Sequence, residues 1–280
     1  MLDFSAIEEL RPLARLVARI QAASPALSFA ICGAQARDLH LKYAHRIDTV
    51  RRTRDIDFVF RVASWEEFHA IRAALVATGD FSEAPGGALH KLLFRGTLQV
   101  DFVPFGDIEK ADRTIEWPPN GDVAMSAFGL RETFASLLEV RLPDQTARVV
   151  SLPALALLKL EAWRERRLRE PGKDAHDLRL ILMHYLDAGN RERMYSQFSF
   201  LLDDNFDYEL AGAYMLGSDM SRLLTRSDGR AHIETLLAKE SDAAGNLTLV
   251  TDMRFDLERG VQLMAALHKG FREQATEPAR

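Results

Sequence analysis

A chain of 280 residues with 47% apolar content can fill two modest cores, and its net charge of −5 excludes a protein that grips nucleic acid by overall charge. Its one cysteine, Cys32, excludes an internal disulfide framework; preceded by Phe29, Ala30 and Ile31, it reads as a buried strand thiol in a reducing compartment. Met1-Leu2-Asp3-Phe4-Ser5 carries no basic-then-apolar secretory signal, and the longest apolar run, Leu152 to Leu158, contains Pro153 and falls well short of the ~20 residues that span a bilayer, so a cytoplasmic protein without a membrane segment is expected.

In chain order, Ile7, Leu10, Leu13, Leu16, Val17 and Ile20 recur at helical spacing, which predicts a first helix over residues 5–22 with Ser5 and Glu8 as a capping box. Leu27 to Cys32 is a short apolar strand that ends at Gly33, and Ala34, Gln35, Ala36, Arg37 and Asp38 open a second helix. Thr53 to Val62 gives the next strand. Ser64 caps a helix to about Ala77, and residues 89–94 and 98–103 form a hairpin about Arg95-Gly96-Thr97. From Leu152 the pattern turns helical, with Leu155, Leu158, Ala162 and Trp163 on one stripe, a turn at Pro171-Gly172, and a helix from Asp174. Residues 274–280 are polar and expected to fray. The fold class is therefore α+β: a mixed sheet with flanking helices over residues 1–150, followed by a mainly helical domain over 151–280.

The chemistry concentrates in Asp55-Ile56-Asp57-Phe58. On a strand the two aspartates share a face, about 6 to 7 Å apart, while Ile56 and Phe58 turn to the core. Thr97 to Val103 reads as a second strand, and paired beside the first it brings Asp101 within about 5 Å laterally. Three carboxylates so placed suit paired Mg²⁺ ions about 4 Å apart that hold the attacking and leaving oxygens of a phosphoryl displacement. Each residue also has a plainer reading: a polar pair on a half-exposed strand for Asp55 and Asp57, a solvated carboxylate for Asp101, an ordinary strand-to-helix turn for Gly33, and a helix arginine paired with Asp38 for Arg37. Order along the chain favours the metal site. Lys159 sits between Leu158 and Leu160, an awkward place for an ammonium unless it meets a phosphate or a carboxylate. Arg46, Arg51, Arg52 and Arg54 form a basic cluster ahead of the acidic strand that either guides a nucleotide substrate or is a solvated loop. None of the eight histidines has zinc-ligand spacing.

Gly33-Ala34-Gln35-Ala36-Arg37, then Arg52-Thr53-Arg54-Asp55-Ile56-Asp57-Phe58, then Gln99-Val100-Asp101-Phe102 resemble the DNA polymerase β-like nucleotidyltransferase superfamily, and within it the AbiEii-type toxins of abortive-infection and toxin-antitoxin systems. In the helical half, Lys159-Leu160-Glu161-Ala162, Arg166, Lys173-Asp174-Ala175-His176-Asp177-Leu178 and Ala213-Tyr214-Met215-Leu216-Gly217-Ser218-Asp219 resemble that group's further elements, so the likeness covers about residues 27–225. It implies a Mg²⁺-dependent transferase that moves a nucleoside monophosphate from a nucleoside triphosphate to an acceptor hydroxyl on tRNA, or on a protein or small molecule, with an antitoxin partner. It assigns Asp55, Asp57 and Asp101 to metal and catalysis, and Gly33, Ala34, Arg37, Lys159, Asp174 and Asp177 to the nucleotide. Gly33-Ala34 departs from the usual Gly-Gly or Gly-Ser, which leaves open a catalytically silent relative that binds a nucleotide or a partner.

Overall fold

The computed structural model describes residues 1–49, 55–121 and 123–276. Two compact units emerge: residues 1–39 with 50–151, and residues 40–49 with 152–280. The first is α+β, with an eight-stranded mixed sheet. The second is helical. Among the described residues no helix is long and apolar enough to cross a membrane.

The strands are β1 (Leu2–Asp3), β2 (Phe29–Cys32), β3 (Asp55–Val62), β4 (Phe81–Glu83), β5 (Lys91–Phe94), β6 (Leu98–Gly106), β7 (Thr114–Glu116), β8 (Ala124–Ser126), β9 (Leu138–Leu142) and β10 (Gln145–Val149). Eight of them make one sheet in the order β1-β9-β10-β2-β3-β6-β5-β4, while β7 and β8 pair separately. β3 sits at the centre, antiparallel to β2 and parallel to β6. Its alternation buries Ile56, Phe58 and Phe60, and the last two join Phe29, Phe68 and Phe102 in an aromatic core on the face away from the aspartates. Rings of this size at 5.6 to 5.9 Å separations fix strand register, since a slip by one residue would turn them to the other face.

The first unit's helices are α1 (Arg11–Ala23), α2 (Gly33–Asp38), α3 (Trp65–Ala77) and α4 (Leu130–Ala135). α3 opens as the sequence predicts: the Glu67 amide donates to Ser64 Oγ at 3.2 Å, and the Glu67 carboxylate accepts from the Ala63 amide at 2.6 Å. The hairpin of β5 and β6 also forms where expected, with Arg95 and Gly96 both at positive φ. At the N-terminus the expectation fails. The Ser5 hydroxyl donates to Asp3, Glu8 pairs with Arg11, and α1 starts only at Arg11, with Pro12 in its first turn. Proline needs no intrahelical amide partner there, so it sets the start, and the residues before it are free to add β1 beside β9. Thr53 and Arg54 of the predicted strand, and Arg51 and Arg52 of the basic cluster, lie outside the described residues.

The second unit holds α5 (Leu152–Arg166), α6 (Pro171–His184), α7 (Arg191–Gln197), α8 (Tyr208–Leu223), α9 (Ser227–Ser241), α10 (Thr248–Asp252) and α11 (Leu257–Thr276). Pro171 and Gly172 are the first residues of α6 rather than a turn; the break lies in residues 167–170, and proline again occupies a helix start. α11 runs to Thr276, and residues 277–280 of the segment expected to fray lie outside the described residues.

Candidate active site

Two registers assemble the site. Asp55 and Asp57 alternate with Ile56 and Phe58, so both carboxylates leave β3 on the face opposite the aromatic core. β6 runs alongside, with Asp57 opposite Asp101 and Asp55 opposite Gln99. One carboxylate oxygen each from Asp55, Asp57 and Asp101 lies within 4.8 Å of the others, and all three residues are half-buried.

On the other flank, Cys32 of β2 stands opposite Asp57 and is buried and free of any disulfide. The chain then turns at Gly33 with φ +62°, and a Cβ built there would lie 1.8 Å from Asp57 Oδ2. A side chain is thus excluded twice, by the left-handed backbone and by the carboxylate itself. Gly33 and half-buried Ala34 open α2. Arg37, one turn on, is fully buried, with Nε and Nη2 at 2.9 and 2.6 Å from Asp38 Oδ1.

Lys159, Asp174 and Asp177 gather within the second unit. The Lys159 ammonium lies 3.1 Å from Asp174 and 2.6 Å from Asp177, all three buried, while Arg166 donates through Nε and Nη2 to both oxygens of Asp174. Burial pushes the Asp174 carboxyl up, but the Arg166 hydrogen bonds and the Lys159 charge outweigh it and hold the group below the usual carboxylate range. The unfavourable position of an ammonium on an apolar helix is relieved by two carboxylates.

Three neighbours of the acidic cluster escaped the sequence reading. Gln99 Nε2 donates to Asp101 Oδ1 at 2.8 Å, and Lys91 Nζ lies 4.0 Å from Asp101 Oδ2. His90, next along, is pushed below the usual imidazole range by burial, partly offset by the Asp101 charge. Strand alternation from Asp101 does point to Gln99. Lys91 becomes visible only once the hairpin register places it opposite Asp101.

The donor set fits a hard divalent cation: three carboxylates, oxygen ligands throughout, on two adjacent strands of a rigid sheet. Burial raises the Asp101 carboxyl above its usual range; Lys91, the Gln99 hydrogen bond and His90 pull the other way, and Asp55 adds to the rise. A divalent cation among the three would offset that crowding of negative charge.

Comparison with known proteins agrees with this geometry. The family model described as nucleotidyl transferase AbiEii toxin, type IV TA system, matches residues 15–248. No curated protein and no solved structure matches the chain significantly. A match over most of the chain, on a fold that carries the acidic strands side by side, shows that it belongs to the AbiEii nucleotidyltransferase toxin family and is a nucleotidyltransferase.

Proposed function

We propose that the protein transfers a nucleoside monophosphate from a nucleoside triphosphate to an acceptor hydroxyl, with Asp55, Asp57 and Asp101 holding two Mg²⁺ ions and an RNA end, tRNA foremost, as acceptor. The convergence of the three carboxylates, with Asp57 closed against Gly33, carries this reading. When bound, the ions supply charge neutralisation at the phosphates and lower the pKa of the acceptor hydroxyl. Asp101 takes the proton as the acceptor oxygen bonds to the α-phosphorus; the bond from that phosphorus to the bridging oxygen breaks, and pyrophosphate leaves with its electron pair. Gly33, lacking a side chain, lets Asp57 close against the turn that would receive the phosphates, with Ala34 and Arg37 following, and Lys159, Asp174 and Asp177 are the further residues of the nucleotide site that the family resemblance implies. Arg37, Lys159, Asp174 and Asp177 then serve by fixing neighbours, since all four are buried in ion pairs.

The biological role that follows is the toxin of a toxin-antitoxin pair acting in the cytoplasm, opposed by an antitoxin. The test is incubation of the purified protein with Mg²⁺ and each labelled triphosphate, together with total RNA or total protein. Label entering RNA from one triphosphate, at least about 100-fold weaker for Asp57→Asn of unchanged circular dichroism, is the expected result. Triphosphate binding without pyrophosphate release would support a silent relative instead, and retained transfer by Asp57→Asn would remove the metal role.

A further inference from the structure

Lysine is depleted in strands, yet β5 begins with one, and the hairpin register sets it directly opposite Asp101. Directly opposed residues project to the same face of a sheet, so Lys91 enters the acidic face from the flank away from Asp55 and Asp57. Its ammonium is 4.0 Å from Asp101 Oδ2, with a side chain 33% exposed against 14% for Asp101. The other oxygen of Asp101 accepts from Gln99. Both oxygens of this aspartate are therefore engaged by the protein, one by an amide and one by a cation.

We infer that Lys91 is the resident counter-ion of the metal site: it holds Asp101 in the metal-free protein and gives up that carboxylate to an entering divalent cation. This role rests on the reading that the three carboxylates bind metal. Three carboxylates with ligand oxygens within 4.8 Å repel one another, and a lysine beside one of them lowers the local charge by one unit. The contact is at the outer limit of an ion pair, and the ammonium is partly solvated, so it is weak enough to be displaced. A four-carbon stem lets the ammonium withdraw toward water without moving the strand. Gln99 remains in place and keeps Asp101 aimed at the site during the exchange. Lys91 thus positions a metal ligand and competes for it, and the affinity of the site for its cation is set partly by that competition.

The test is Mn²⁺ binding to the full-length protein, followed by electron paramagnetic resonance of the free ion and by the rise in Tm on metal addition. Lys91→Met is expected to bind Mn²⁺ about three- to tenfold more tightly than the wild type, to melt lower without metal, and to gain more Tm when metal is added. Lys91→Arg, which restores the charge, should return binding to near the wild-type value. Lys110→Met, a charge removal at the exposed Glu116 pair, should leave binding unchanged and so separate the contact from the overall field. Unchanged or weaker Mn²⁺ binding by Lys91→Met, beside a wild type that binds metal and an Asp57→Asn variant that does not, overturns the role of Lys91 alone. Absence of saturable binding in the wild type overturns the metal reading and this inference together.

Discussion

Gly33 shows how one residue joins backbone geometry to chemistry. Its φ of +62° would cost an alanine about 1–2 kcal/mol, and the 1.8 Å approach of a Cβ to Asp57 Oδ2 cannot be met without moving that carboxylate. Gly33→Ala is therefore expected to lower stability by about 1–3 kcal/mol and to cut transfer by more than the lost stability explains, which urea unfolding and nucleotide transfer measured on the same samples will show. A fully active, destabilised variant would mean that Asp57 can shift without consequence. The sequence placed the glycine at a strand-to-helix turn, but nothing in it tells that the missing side chain makes room for an aspartate 24 positions later. Asp174 is the counterpart in the second unit. Its carboxyl is held below the usual range, so it stabilises the folded protein above its unfolded value of 3.8, and that contribution is lost as pH falls through the lower folded value. Asp174→Asn should cost about 3–5 kcal/mol near neutral pH, because Lys159 would lose a buried carboxylate and Arg166 the charge that accepts its two hydrogen bonds. Denaturant midpoints followed from about pH 6 to about pH 3 should fall further for the wild type than for the variant; parallel curves would show that the cluster contributes nothing to acid sensitivity.

At the scale of elements, what the residues could and could not announce follows from how local each signal is. α3 carried its own start, because Ser64 and Glu67 satisfy amides within four residues. The hairpin of β5 and β6 carried its own turn in Arg95 and Gly96. By contrast α1 was predicted too early, since Ser5 and Glu8 match a capping box in spacing but are taken by Asp3 and Arg11. β9 alternates Leu138, Val140 and Leu142 with Glu139 and Arg141 ahead of a turn at Pro143-Asp144, a hairpin signal that the sequence carried and that was not among the predicted elements, whereas the two-residue β1 has no pattern of its own and exists through β9. The pair α8 and α11 depends on contacts that spacing alone does not reveal: a Cβ at Gly217 would lie 2.0 Å from the Leu267 carbonyl oxygen, and one at Gly270 would lie 2.0 Å from that of Tyr214. Two glycines facing across the pair let the backbones touch, with Leu263, Leu267 and Phe271 buried alongside. Gly270→Ala should then cost about 1–3 kcal/mol in urea unfolding despite the better helix propensity of alanine, and a stabilised variant would disprove the close approach.

For the molecule as a whole, the α+β first unit and helical second unit agree with the sequence reading because hydrophobic period is set residue by residue: two in β3, near 3.6 in α1 and α11. Composition likewise determined that cores of this size exist, and the spacing of Asp55, Gly33 and Asp101 was enough to point to the family that the chain belongs to. The second unit gathers residues 40–49 with 152–280, a grouping that no linear boundary expresses, because packing joins segments regardless of their order in the chain. Whether three acidic residues in two separate segments would form one cluster was likewise undecided by the chain itself. It required β3 and β6 to pair in parallel with Asp57 opposite Asp101, and an aromatic core on the reverse face to hold that register. The same pairing set Gln99 and Lys91 on Asp101, and packing between helices chose Asp174 and Asp177 as the partners of Lys159. Side-chain types and their periods act over a few residues and are written in the sequence; distances between charges distant along the chain arise only when the sheet and helices close.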